Sequence, residues 1–158
     1  MARIGRAIGF ALATALLSSL SAAAATLSDT EQDRIAAAVF DYALTKPTYF
    51  SDNALNFQLY LSIRGKDPSP KFLTSIHVSS DKFRPQSAAP ASAPPQDAPI
   101  ASRSMPIVIT SFVETSPGNA EGRIGTICGP RCGSINNVTV AKENGGWVVK
   151  SFKIGSVF

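Results

Sequence analysis

Between Thr26 and Leu44 the apolar positions recur at helical spacing, with Ile35, Val39, Tyr42 and Ala43 on one face, which predicts a helix. Ser28 followed by Glu31 has the capping-box spacing, and Asp29, Glu31 and Asp33 sit where the helix dipole favours negative charge. Lys46-Pro47 ends the segment, because the residue before a proline is pushed out of the α region. From Phe57 the period changes to two: Phe57, Leu59, Leu61 and Ile63 alternate with Gln58, Tyr60, Ser62 and Arg64, the pattern of a half-buried strand. Gly65 to Pro68 is turn chemistry. Ser69-Pro70 then reads as an N-cap with proline at the first helical position, opening a short helix that carries Phe72, Leu73 and Ile76.

The second half reads as strands. Ile107 to Val113 is rich in β-branched residues, Ser116-Pro117-Gly118-Asn119 is a turn, and Arg123 to Cys128 follows as another strand. Asn144-Gly145 is a strong two-residue hairpin signal. It pairs Lys142 with Trp147 and Val140 with Val149, so that Val138, Val140, Trp147 and Val149 share one face, against Thr139, Ala141, Val148 and Lys150 on the other. The predicted fold class is α+β: an N-terminal helix and a short second helix packed against a curved antiparallel sheet of five to six strands.

Composition changes this picture at two places. Pro85 to Pro99 holds five Pro and five Ala among its 15 residues, with no aromatic or branched aliphatic side chain, and is expected to be a disordered loop within one domain. At the N-terminus, Arg3 and Arg6 precede an apolar run of about 13 residues from Ile8 to Leu20 and the small residues Ser21 to Ala25, the layout of a cleaved signal peptide and too short for a membrane span. Residues 1–25 are therefore expected to be removed, leaving residues 26–158 as a single exported domain, periplasmic or secreted. Without Arg3 and Arg6 the charge is 13 basic residues against 11 acidic, with no run of basic residues longer than two. Nucleic acid and membrane surfaces are thus not the expected partners.

The order helix, strand, short helix, long loop and antiparallel strands resembles the cone-shaped fold of the nuclear transport factor two-like (ketosteroid-isomerase-like, cystatin-like) superfamily. Gly65-Lys66-Asp67-Pro68-Ser69-Pro70, and Gly145-Gly146-Trp147-Val148-Val149-Lys150, are similar to strings in exported bacterial proteins that look like that superfamily. The resemblance implies a sheet wrapped around helices with a pocket at the open end. It does not choose among enzyme, binding module and scaffold, and none of the superfamily's catalytic residues maps onto a position here.

Cys128 and Cys132 flank Gly129-Pro130-Arg131. In an exported chain an even pair points to a disulfide, here clipping a hairpin and contributing about 2 kcal/mol by loop entropy; redox and metal roles are the alternatives. His77, the only histidine, is expected to be a surface or structural residue, while Asp41, Asp67, Glu114 and Tyr60 are candidate acids or bases whose spacing brings no two together. Asp67 is expected to orient its turn and help cap the next helix. Asn137-Val138-Thr139 matches a glycosylation acceptor within a strand. No cofactor or metal site is expected. The functional expectation is a non-catalytic module binding a protein or a small apolar ligand, the alternative being a small isomerase or hydrolase with a buried carboxylate or Tyr in its pocket.

Overall fold

The computed structural model describes residues 26–45, 57–77, 83–90, 104–129 and 132–158, with the side chains of residues 128 and 129 excepted. The expected signal peptide at 1–25 and most of the Pro/Ala segment lie outside the described residues. The architecture is mixed α/β, with two helices and a seven-stranded open sheet. In chain order these are α1 (Asp29–Thr45), β1 (Gln58–Ile63), α2 (Pro70–Ser75), β2 (Phe83–Pro85), β3 (Ser104–Ile109), β4 (Val113–Ser116), β5 (Asn119–Gly129), β6 (Cys132–Glu143) and β7 (Gly146–Val157). The sheet order is β2-β1-β3-β5-β6-β7, with β4 also on β5.

The sheet departs from the antiparallel one expected, since β1 pairs in parallel with both β2 and β3. The cause lies just after β1. Arg64 and Gly65 both take positive φ, and Ile63 and Lys66 exchange backbone hydrogen bonds of 2.8 and 3.0 Å, which starts a hairpin. Pro68 has no N–H to donate and α2 starts at Pro70, so the returning strand stops after one pair. The partners of β1 are reached instead through longer connections that bring the chain back in the same direction. β2 is only three residues long and reaches into the expected loop: Pro85 ends it, and Gln86–Ala88 forms one 3₁₀ turn.

The expected strand from Ile107 to Val113 is broken in two. β3 and β4 lie in succession along one edge of β5, Ile109 facing Ile124 and Val113 facing Glu121. At the break, the ring of buried Phe112 lies over Gly122, so close that a Cβ there would stand 2.7 Å from it. The backbone of Phe112 is turned to α1, where Gln32 accepts from its N–H at 2.9 Å and donates to its carbonyl at 2.7 Å. One buried side-chain amide thus replaces the missing strand neighbour.

Ile35, Val39, Phe40 and Ala43 of α1 join Leu59 and Leu61 of β1, Phe72 of α2, Ile107 and Ile109 of β3, Ile124 of β5 and Val138 and Val140 of β6 in one core. Each large aliphatic side chain buried there contributes about 1.5–3 kcal/mol. The β6–β7 hairpin follows its sequence: Asn144 and Gly145 both have positive φ, Lys142 faces Trp147 and Val140 faces Val149. A bulge between Thr139 and Val140 then inserts one extra residue in β7 and brings Phe152 opposite Val138, onto the inner face. Phe152 stacks there on Tyr42, the ring centroids 5.8 Å apart.

Candidate functional site

α2 is tied to α1 at both ends. The Ser69 hydroxyl accepts from the Phe72 N–H at 3.0 Å, as its capping position requires, and donates to Asp33 Oδ2 at 2.9 Å. Beyond the other end, Asp41 takes the backbone N–H of His77 at 3.1 Å and its Nδ1 at 2.7 Å. Asp33 and Asp41 stand about 12 Å apart along α1, two turns and a little more, and the span from Ser69 to His77 has nearly the same length. The match lets the two short polar ties hold the helices side by side, running in the same direction.

The tip of the β6–β7 hairpin is fastened to α1 through Glu31. The Ser28 hydroxyl caps α1 by accepting from the Glu31 N–H at 3.3 Å, but the Glu31 carboxylate does not return the capping bond. It accepts instead from the Trp147 indole N–H and meets Arg34 at 3.1 Å and Lys142 at 3.5 Å, with Lys142 also over the Trp147 ring. The indole hydrogen bond, with the charge of Lys142 adding to it, holds the Glu31 carboxyl below its ordinary value of 4.5. Arg64 lowers Asp29 in the same way, and hydrogen bonds from Ser87 lower Asp67.

A carboxylate whose pKa is depressed by folding stabilises the fold fully above its unfolded value and loses that contribution as pH falls through the folded one. Chemical denaturation across a pH series is therefore expected to find stability level near neutrality and declining below 4.5. Glu31→Gln is expected to differ from the parent at neutral pH and to converge with it in acid.

Between α1, α2 and the hairpin tip lies a cleft of about 420 Å³. Its apolar lining is Ala37 and Ala38 of α1, Phe72 of α2 and Trp147 of β7, of which Ala38 is half-buried and the other three are buried beneath it. Asp33, Asp41, Arg34 and Lys71 bring charge to its walls, and His77 stands at its mouth. The helical repeat of α1 sets Asp33, Ala37 and Asp41 in one line, so one face of the helix supplies both floor and anchors.

The sequence-level candidates separate sharply. Asp41 and His77, 36 residues apart, are brought together at the cleft, which no spacing rule foresees. The His77 side chain is 89% exposed, so the pair stands at the mouth in contact with solvent. Asp67 accepts from the Ser87 N–H at 2.9 Å and fastens its turn to the 3₁₀ turn, while the cap of α2 is Ser69 alone. Glu114 accepts from the Gly118 N–H at 2.9 Å and closes the β4–β5 turn. Tyr60 sits half-buried in β1 between Arg84 and Pro106 of the neighbouring strands. Asn137 is exposed on β6.

Gly129 pairs with Cys132 across the β5–β6 turn, as a hairpin at this string requires. The Cys128 side chain lies outside the described residues. Among the described residues no group of three His, Cys, Asp or Glu side chains is placed to hold a metal ion, and no helix is long and apolar enough to cross a membrane. The i, i+4 spacing of Asp33, Ala37 and Asp41 is the one signal in the sequence that could have pointed to the cleft; the part played by Trp147 and Glu31 left none. Comparison of the chain with protein-family models, with curated proteins and with solved structures finds no match.

Proposed function

We propose that this chain is an exported, non-catalytic binding module that holds a small, largely apolar ligand in the cleft between α1, α2 and the β6–β7 hairpin tip. The observation that carries the reading is the cleft itself, of about 420 Å³, with Ala37, Ala38, Phe72 and Trp147 in its lining. Small-molecule sites have this size and this predominance of apolar wall. Its two carboxylates, Asp33 and Asp41, have structural duties in tying α2 to α1. Among the described residues the carboxylates with lowered pKa are Asp29, Glu31 and Asp67, none of them in the cleft lining and each serving a fold contact. Removal of residues 1–25, the Cys128–Cys132 disulfide and the likeness to the nuclear transport factor two-like cone belong to the same reading, supported by the N-terminal pattern, the hairpin at the cysteine string and the open sheet with its adjoining cleft.

Trp147 is the only tryptophan in the chain and lines the cleft, so its emission reports occupancy. Titration with decanol is expected to change that emission saturably, and Ala38→Phe, which fills the cleft from a half-buried position on α1, is expected to abolish the change. A response that survives Ala38→Phe, or no response in the parent, counts against the cleft as the site.

A second reading rests on the Asp41–His77 pair. A carboxylate on Nδ1 orients the imidazole, the arrangement in which a histidine serves as a general base through Nε2. Hydrolysis of an activated aryl ester that disappears in His77→Ala favours this reading; the binding reading expects none.

A further inference from the structure

Resting on the reading of the cleft as a ligand site, we infer that its ligand carries a carboxylate on an apolar body, and that Lys71 and Arg34 receive that head group. The inference follows from which charges in the cleft already have partners. Asp33 accepts from the Ser69 hydroxyl at 2.9 Å and lies 3.8 Å from the Arg64 guanidinium. Asp41 uses both oxygens on His77. Both acids are thus engaged in holding α2 to α1.

The bases differ. Lys71, exposed on the first turn of α2, has no acidic partner among the described residues. Arg34 meets Glu31 through one nitrogen at 3.1 Å, its side chain is 58% exposed, and a guanidinium has five N–H donors. The polar capacity left open at the cleft is therefore cationic. It stands in one lining with Ala37, Ala38 and Phe72. An amphiphile with a single carboxylate satisfies both: its chain displaces water from the apolar wall, and its head forms charge-assisted hydrogen bonds at the rim. A cationic head would meet the charges of Lys71 and Arg34, and a neutral head would leave Lys71 without an acidic partner.

Three probes with one chain length separate the head group from the cleft: decanoate, decanol and decylammonium, each titrated below its aggregation limit with Trp147 emission and calorimetry as readouts. Decanoate is expected to bind about tenfold more tightly than decanol at low ionic strength, and decylammonium more weakly than either. Raising the salt concentration is expected to narrow the gap. Lys71→Gln together with Arg34→Gln is expected to remove the preference for decanoate over decanol within the variant, and Lys71→Glu is expected to raise decylammonium above its level in the parent. Equal affinity for decanoate and decanol overturns the carboxylate inference while leaving the cleft reading intact. Binding of none of the three overturns both.

Discussion

Gln32→Met is expected to destabilise the protein by about 3 kcal/mol, because a buried donor and a buried acceptor each left without a partner cost about 1–3 kcal/mol. Gln32 is 6% exposed, and its amide holds the N–H and the carbonyl of Phe112 at 2.9 and 2.7 Å. Methionine preserves chain length and fills nearly the same space, so the change removes hydrogen bonds without opening a cavity. In a chain of this size the loss lowers the thermal midpoint by about 10 °C. The effect is expected to be large because nothing else among the described residues meets that backbone: it lies in the gap between β3 and β4, where β5 offers no partner. A loss below about 1 kcal/mol means that water or a shifted strand satisfies Phe112 in the variant.

The second large effect is expected at Phe40, which is completely buried and packs on Phe83 and Phe72 with ring centroids 4.9 and 6.2 Å away. It is the side chain through which α1 meets both β2 and α2. Phe40→Ala is expected to cost about 4 kcal/mol, the sum of lost transfer energy and the cavity left behind, whereas Phe40→Leu, which keeps much of the volume, is expected to cost less than about 2. Urea denaturation at neutral pH measures both. Since Phe72 lies between Phe40 and the cleft, Phe40→Ala is also expected to weaken ligand binding in protein that still folds. Equal destabilisation by Ala and Leu means that ring geometry, and not volume, decides the site.

The elements legible in the chain were those whose signals are local. The Ser69-Pro70 cap, the Asn144-Gly145 turn and the alternation from Phe57 to Ile63 each act within a few residues, and each stands where the sequence places it. The failures have a different physics. The parallel pairing of β1 depends on Pro68 stopping a hairpin that Arg64 and Gly65 had begun, a contest between two adjacent local signals. The break between β3 and β4 depends on Gln32, 80 residues from Phe112. Phe152 faces inward only because a bulge shifts the register that simple alternation sets. At the cleft, the spacing on α1 showed the core face of Ile35, Val39 and Ala43 and not the face of Asp33, Ala37 and Asp41, and the Asp41–His77 and Glu31–Trp147 contacts join residues 36 and 116 positions apart and exist only after folding.

The central claim is that the space between α1, α2 and the hairpin tip is where a ligand sits, and amide chemical-shift mapping of the isotope-labelled protein during a decanoate titration tests it most directly. The account predicts that the largest saturable shifts fall on Ala37, Ala38, Asp41, Phe72, Gly145 and Trp147, residues from three separated stretches of sequence that meet only at the cleft. Shifts that centre instead on the exposed apolar residues of the sheet, such as Ile135, Val148 and Ile154, would contradict it.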